Sequence, residues 1–323
     1  MTASAGNTGT YVAPRWLPGG HAQTIYAALL AHRPHVSYRR ERWDTPDGDF
    51  IDVDFVDGAR AGPLVALFHG LEGNARSHYA LSLMHAVRDR GWRGAVVHFR
   101  SCSGELNRLP RAYHSGDSAE IDWTLRRLRQ IAPAELFAVG VSLGGNALLK
   151  WLGETGASAC EIVDRAAAVS APVELAATGN TLDHGFNLIY VRHFLASMKR
   201  KALAKLARYP GLYDAAQVRA ARTLREFDNL VTAPLHGFED ADDYWQSASS
   251  KPLLRRIVLP TLMINALDDP FLPRHALPQA QEVSPHVVLE YPLAGGHAGF
   301  VSGRFPGKLD WLPQRILMFF EET

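Results

Sequence analysis

The sequence has few cysteines and no long hydrophobic run, and each shortage argues against a class of protein. Cys102 and Cys160 are the only cysteines and form no CxxC pair, so we interpret them as structural thiols in a reducing compartment. No segment approaches the roughly 18 apolar residues of a membrane span, and the first ten residues lack the features of a secretory signal. We therefore expect a cytoplasmic protein without a transmembrane segment.

An excess of charge is also missing. Lysine and arginine number 34 against 33 acidic residues, so the chain lacks the positive field that nucleic-acid binding usually requires. Hydrophobic residues make up 47% and charged residues 21%, as in an ordinary globular protein. Its 323 residues suit one α/β domain with an insertion or two smaller domains. Nothing in the composition indicates an oligomeric state.

The motifs of metal-dependent and nucleotide-dependent enzymes are absent as well. The chain contains no HExxH, no Walker A sequence and no GxGxxG between a strand and a helix. Zinc, nucleotide and nicotinamide sites would therefore lack their usual ligands. We expect neither a metal nor a cofactor.

Apolar runs alternate with helix-length segments from Leu64 onward, a pattern typical of a parallel sheet with crossover helices. A lead-in over residues 1–34, with a short helix at 22–31, and a hairpin precede them. The hairpin strands are predicted at 36–43 and 50–56, and the later strands at 64–68, 94–99, 136–139, 166–169, 258–264 and 286–291. The later helices are predicted at 77–90, 115–130, 143–152, 274–282 and 309–321.

Roughly ninety residues separate the strand that ends near Ser170 from the strand that begins near Val258. This length is too great for a plain crossover, and the segment is too helical for a loop. We predict a helical cap at 173–255, inserted into an α/β core formed by 35–172 and 256–323. Within the cap, residues 186–207 combine helical apolar spacing with basic residues, which favours a cap helix over a membrane-surface helix.

Ser142 lies between glycines in the stretch Gly-Val-Ser-Leu-Gly-Gly, where an apolar run gives way to a helix-like segment. This arrangement is typical of a nucleophile elbow, a sharp strand-to-helix turn that exposes a serine hydroxyl. The alternative is an ordinary glycine-rich turn. A serine nucleophile needs a base within hydrogen-bond reach and a third group to orient that base.

Candidates for both partners follow later strands. Asp268 and Asp269 come directly after the strand that ends at Ile264, and the D-P-x-x-P pattern favours Asp269 as the orienting acid. Asp268 stays open as the alternative, as does an acidic turn without chemistry. His297 lies among glycines beyond the last strand, where it is free to reach across the sheet edge, and we predict it to be the general base.

Backbone donors for an oxyanion are predicted at two positions. The N–H of Leu143 opens the helix after Ser142, where the helix dipole favours negative charge. The N–H of Leu71 lies in the loop His-Gly-Leu-Glu-Gly after the strand 64–68, where Gly70 allows the chain to turn inward. Together, the serine turn, the acid, the histidine and the oxyanion donors at one sheet edge strongly indicate catalysis by a serine nucleophile.

With these residues the chain resembles the α/β-hydrolases, and more narrowly the YheT-like hydrolases and esterases, also called α/β-hydrolase family 4. The resemblance covers about residues 14–310. It rests on these segments: PRWL at 14–17, GHAQT at 20–24, HGLEG at 69–73, FRSCSG at 99–104, YHSGD at 113–117, GVSLGGN at 140–146, NALDDP at 265–270 and GGH at 295–297.

The resemblance implies an α/β-hydrolase fold, with a mostly parallel eight-stranded sheet, one antiparallel strand and helices on both faces. It also implies hydrolysis of carboxylic esters through an acyl-enzyme, without a metal, on short- to medium-chain esters or acylglycerols. The expected partner is therefore a small-molecule ester. Acyl transfer to a small alcohol by the same residues and a non-catalytic binding role are the alternatives.

Two further hypotheses concern residues around the substrate. Arg100 and His114 could contact substrate, although the surrounding Ser, Gly and Asp residues favour structural bracing. In the cap, an apolar lining for an acyl or alcohol group is predicted from Phe186, Tyr190, Phe194 and Met198.

Overall fold

An eight-stranded sheet forms the centre of the computed structural model, which describes residues 10–59, 61–132 and 134–322. The first nine residues of the predicted lead-in lie outside the described residues. The strands are β1 (Arg39–Asp44), β2 (Phe50–Val56), β3 (Leu64–Phe68), β4 (Arg93–Val97), β5 (Leu136–Val141), β6 (Arg165–Val169), β7 (Thr261–Ile264) and β8 (Val287–Glu290).

The strand order is β1-β2-β4-β3-β5-β6-β7-β8. Strand β2 runs antiparallel to its neighbours β1 and β4, and the other pairs are parallel. The predicted mostly parallel sheet with one antiparallel strand is confirmed. The entry hairpin is also present as the pair β1 and β2.

Helices cover both faces of the sheet, which explains why β3, β5 and β7 are buried along their whole length. The helices outside the β6–β7 connection are α1 (Gly20–Leu29), α2 (His78–Asp89), α3 (Ser118–Ile131), α4 (Leu143–Thr155) and α11 (Trp311–Glu321). Helices α3 and α4 pack on one face, through Leu125 and Leu148. Helices α2 and α11 pack on the other, through Met84 and Leu317.

The helix predicted at 274–282 is wrong. The chain forms two short 3₁₀ turns there, Arg274–Ala276 and Ala280–Glu282. Pro278 lies between them, and Leu277 before it has extended backbone angles (φ −66°, ψ 135°). A proline disfavours the helical conformation in the preceding residue and cannot donate a helical hydrogen bond, so the apolar spacing was misleading.

The connection between β6 and β7 contains α5 (Leu175–Leu182), α6 (Leu188–Arg208), α7 (Ala215–Ala220), α8 (Leu224–Phe227), α9 (Ala233–His236) and α10 (Ala241–Ala248). These helices share an apolar cluster of their own. In α6, Val191 and Leu195 point into this cluster, whereas Arg192 and Arg200 are exposed. The division into a core and a cap at 173–255 stays a prediction.

No helix within the described ranges combines the length and the hydropathy needed to cross a membrane.

Cys102 is buried and Cys160 is exposed, and both are free thiols. Burial raises the pKa of the Cys102 thiol to about 12.

Candidate active site

Ser142 occupies a sharp turn between β5 and α4, with a positive φ that L-residues rarely adopt (φ 53°, ψ −121°). Such a conformation is costly for a residue with a side chain and must be held by its surroundings. A Cβ added at Gly140 would lie 2.4 Å from the Gly144 carbonyl oxygen, and one at Gly144 would lie 2.4 Å from the Phe68 carbonyl oxygen. Only glycine fits at either position, as the elbow interpretation requires.

The structure brings Ser142, His297 and Asp269 into one hydrogen-bonded chain. The Nε2 atom of His297 lies 2.9 Å from Ser142 Oγ. Its Nδ1 atom lies 2.9 Å from Asp269 Oδ2 and 3.2 Å from Oδ1. Because the carboxylate can only accept a hydrogen bond, Nδ1 carries a proton and Nε2 presents its lone pair to the serine hydroxyl.

The neighbouring Asp268 faces a different group. Its Oδ1 accepts a hydrogen bond from the Gly296 N–H at 2.9 Å. Asp269, in contrast, has a fully buried side chain and also accepts from the Phe271 N–H at 2.8 Å. Of the two candidate acids, Asp269 contacts the imidazole and Asp268 holds the backbone beside it.

Helix α1 holds the loop that carries His297. The N–H of His297 donates to Thr24 Oγ1 at 2.8 Å, and that hydroxyl donates to the Gly20 carbonyl at 2.7 Å. Buried Gln23 accepts from the Val301 N–H at 2.9 Å. The contribution of these two side chains was not predicted. Two adjacent polar residues inside a short helix were the available signal, and they belong to the segment GHAQT at 20–24 on which the resemblance rests in part.

The loop after β3 closes as a tight turn. The Gly73 N–H donates to the Gly70 carbonyl at 2.9 Å, and the N–H groups of Gly70 and Glu72 donate to the hydroxyls of Tyr79 and Tyr113, each at 2.9 Å. The Leu71 N–H has no protein acceptor within the described part of the chain. It is therefore free for a ligand.

A buried histidine orients the Leu71 N–H. The Phe99 N–H donates to His69 Nε2 at 3.1 Å, so Nδ1 carries the proton and donates to the Gly70 carbonyl at 2.8 Å. Burial lowers the pKa of His69 to about 3, which keeps the ring neutral. Because a trans peptide is planar, fixing the Gly70 carbonyl directs the Leu71 N–H the opposite way.

Leu143 is the first residue of α4, and its N–H has no partner within the helix. Both predicted oxyanion donors thus belong to segments that adjoin Ser142, since a Cβ added at Gly70 would lie 3.1 Å from the Ser142 Cβ. An oxyanion bound here would meet two backbone dipoles and the start of a helix.

A cavity of about 720 Å³ opens at Ser142 and His297. The helices of the β6–β7 connection supply much of its lining, including Tyr190, Phe194 and Met198. Phe186 is not among the lining residues. It is 52% exposed and packs against His21 and Tyr190 instead. The cavity can accommodate an apolar chain next to the serine.

Arg100 is buried and makes ion pairs with Asp49 at 3.0 Å and Glu120 at 2.6 Å, which supports structural bracing. His114 borders the cavity and lies 4.3 Å, between ring centres, from His236. Burial lowers the pKa of His114 to about 4 and that of His236 to about 3, so both rings are neutral near pH 7. A contact of His114 with substrate stays a prediction.

Residues 10–59, 61–132 and 134–322 contain no group of three or more His, Cys, Asp or Glu side chains that could hold a metal ion.

Comparison with known proteins relates these features to a family. The family model described as "alpha/beta hydrolase fold" matches residues 63–303. The chain is 40% identical to the protein named "Putative esterase YheT" of Escherichia coli (strain K12), over 95% of this chain and 91% of that protein. It is 29% identical to human "Phospholipase ABHD3", over 97% of this chain and 79% of that protein.

Among solved structures, an esterase from Exiguobacterium antarcticum superposes with a TM-score of 0.55 at 16% sequence identity. The superposition covers 87% of this chain and 99% of that chain, and it shows a shared fold.

Proposed function

Because this chain belongs to the α/β-hydrolase family, we propose that it hydrolyses carboxylic esters with Ser142 as the nucleophile. The observation that carries the proposal is the hydrogen-bonded chain Ser142–His297–Asp269 at the mouth of the cavity. Each atom has the partner that nucleophilic catalysis needs: the hydroxyl faces a basic nitrogen, and the imidazole faces a buried carboxylate.

The first half of the proposed reaction forms an acyl-enzyme. Ser142 Oγ attacks the ester carbonyl carbon while its proton passes to His297 Nε2. The carbonyl oxygen becomes an oxyanion and accepts hydrogen bonds from the N–H groups of Leu71 and Leu143. As the intermediate collapses, the C–O bond to the alcohol breaks and the leaving oxygen takes the proton from His297.

The second half releases the acid. A water molecule attacks the acyl carbon, gives one proton to His297 Nε2 and forms a second oxyanion at the same backbone donors. The bond to Ser142 Oγ then breaks, and the serine recovers the proton. Asp269 keeps the imidazole oriented and stabilises its protonated form through both halves.

The cavity supports esters with an apolar group. Short- to medium-chain esters fit the proposal, and acylglycerols or a phospholipid, as the name of the human relative suggests for that protein, are candidates within the same class. The cytoplasmic location and a small-molecule partner stay predictions of the sequence.

Hydrolysis of p-nitrophenyl esters from acetate to palmitate, by wild type and Ser142→Ala side by side, tests the proposal. We expect turnover that peaks at one chain length and is lost in the variant. A fluorophosphonate should label the wild type at Ser142. Full turnover by folded Ser142→Ala would refute the proposal, and a wild type that neither cleaves an ester nor becomes labelled would indicate a binding role.

Product analysis distinguishes hydrolysis from acyl transfer to an alcohol. With added ethanol, a hydrolase forms mainly the free acid, whereas an acyltransferase forms mainly the ethyl ester.

A further inference from the structure

The turn that presents the Leu71 N–H contains an unfavourable residue. Glu72 is the third residue of the turn closed by the Gly73 N–H and the Gly70 carbonyl, and its φ is +55°. Glycine or asparagine usually occupies such a position because a larger side chain is strained there. The conformation is unfavourable and persists only when the surroundings hold it.

Two side chains hold Glu72 in this conformation. The Tyr113 hydroxyl accepts from the Glu72 N–H at 2.9 Å and donates to Glu72 Oε1 at 2.8 Å. The Nζ atom of Lys201 lies 2.9 Å from Oε1 and 2.8 Å from Oε2 of the same carboxylate. The Glu72 side chain is only 8% exposed, so Lys201 supplies the positive charge that a carboxylate this buried requires.

Lys201 comes from a distant part of the chain. It belongs to α6, in the connection between β6 and β7, whereas Glu72 belongs to the loop after β3. The ion pair therefore joins a helix that borders the cavity to the turn that carries a proposed oxyanion donor. Through this ion pair, α6 contacts the turn that carries the Leu71 N–H.

We propose that Lys201 is a positioning residue, which acts through Glu72 to hold the Leu71 N–H where the oxyanion forms. The inference rests on the proposed esterase function and deepens it. When α6 is in place, the ion pair holds the strained turn; when α6 moves away, Glu72 loses its charge partner and the turn relaxes. Oxyanion stabilisation is thereby coupled to the position of a helix that borders the substrate cavity.

The variant Lys201→Met tests this role because it keeps the length of the side chain and removes the charge. We expect kcat for a p-nitrophenyl ester to fall about 10- to 100-fold with KM nearly unchanged, since the lost interaction acts in the transition state. The affinity for a trifluoromethyl ketone, which forms a tetrahedral adduct with the serine, should fall by a similar factor. Lys201→Arg should restore most of both.

A matched control is available on the same helix. Tyr209 follows α6 and donates to the Arg108 carbonyl at 2.6 Å, which ties the helix to the core without contact with the oxyanion turn. Tyr209→Phe should leave kcat and the affinity for the ketone within about twofold of wild type, although it loosens the same helix. An equal loss of kcat in both variants would indicate general loosening and overturn the inference.

The double variant Lys201→Met with Glu72→Gln removes both charges, so neither stays buried alone. It keeps the test valid if Lys201→Met does not fold. We expect its kcat to fall about 10- to 100-fold below wild type, because both substitutions break the same ion pair and their effects do not multiply. Wild-type kcat in the folded double variant would overturn the inference. If wild type itself fails to cleave esters and escapes fluorophosphonate labelling, the proposed function fails instead.

Discussion

The small residues that the serine turn needs all lie in one short motif, whereas the loop that carries His297 is held by a residue 273 positions earlier in the chain. At the serine turn, the close contact of Gly140 is with Gly144, inside the motif itself. At the histidine loop, a Cβ added at Gly296 would lie 2.5 Å from the Gly20 carbonyl oxygen of α1. A local motif therefore identifies the first region, although Gly144 in it also packs against Phe68 of β3, whereas only packing between distant segments defines the second.

One site therefore depends both on a short motif of small residues and on packing between distant segments of the chain. The serine turn needs small residues at fixed spacing, because strand, turn and helix follow each other directly. The histidine loop needs α1 in place, because Thr24 and Gln23 accept its N–H groups. Substitutions in each region should therefore fail in different ways.

The largest effect is expected at the carboxylate of the histidine side. Asp269→Asn should lower turnover by about 10⁴, since the amide cannot hold the imidazole in the required tautomer. Asp268→Asn should cost far less, because its carboxylate contacts only the Gly296 N–H among the groups of the histidine loop. Ester turnover of the two purified variants checks this, and a larger loss in Asp268→Asn would exchange the two assignments.

Disrupting the serine turn should mainly destabilise the fold. Gly144→Ala places a methyl group 2.4 Å from the Phe68 carbonyl oxygen, so we expect a loss of about 3 kcal/mol in the free energy of unfolding, together with a loss of ester turnover. Gly156→Ala is the control, because Gly156 follows the same helix with φ +57° and no atom within 4 Å of an added Cβ. It should cost only about 1 kcal/mol. Urea unfolding of both variants separates a collision from a backbone preference.

Breaking the support of the histidine loop should weaken turnover while the fold survives. Thr24→Val removes the acceptor of the His297 N–H, so we expect about a tenfold loss of kcat and a loss of about 1–2 kcal/mol in the free energy of unfolding. Thr181→Val is the matched control. Thr181 makes the same type of bond to a carbonyl four residues earlier, Ala177, but receives no donor from the histidine loop. Equal kcat in the two variants would contradict the support role of α1.

The same contrast explains what could be predicted from the sequence. Strands β2 and β3 match their predicted bounds, and the serine turn was identified, because apolar runs and glycine spacing act over short distances. Adjacent aspartates follow one strand, so their position left both open, and the D-P-x-x-P pattern favoured Asp269, the aspartate that faces the imidazole in the structure. The contacts of Thr24 and Lys201 join segments far apart in the chain, and no local pattern reports them.

The last effect lies in neither region and leaves turnover unchanged, so it separates stability from the chemistry at Ser142. Asp228 is buried in the β6–β7 connection, where it accepts hydrogen bonds from Thr232 at 2.6 Å and Trp245 at 2.8 Å. Burial raises the pKa of its carboxyl from 3.8 to about 6. The folded protein therefore binds this proton more tightly than the unfolded chain, so ionisation destabilises the fold increasingly from about pH 4 upward.

Asp228→Asn removes this penalty and can still accept from Trp245 and donate to Thr232. We compare the free energy of unfolding of the variant with that of wild type at each pH. This difference should be about 2 kcal/mol more favourable to the variant at pH 8 than at pH 4. Urea unfolding of both proteins at the two pH values measures this change. A constant difference would mean that the hydrogen bonds, rather than the buried charge, decide the contribution of Asp228. A difference that grows with pH would place this titration at Asp228 in the β6–β7 connection.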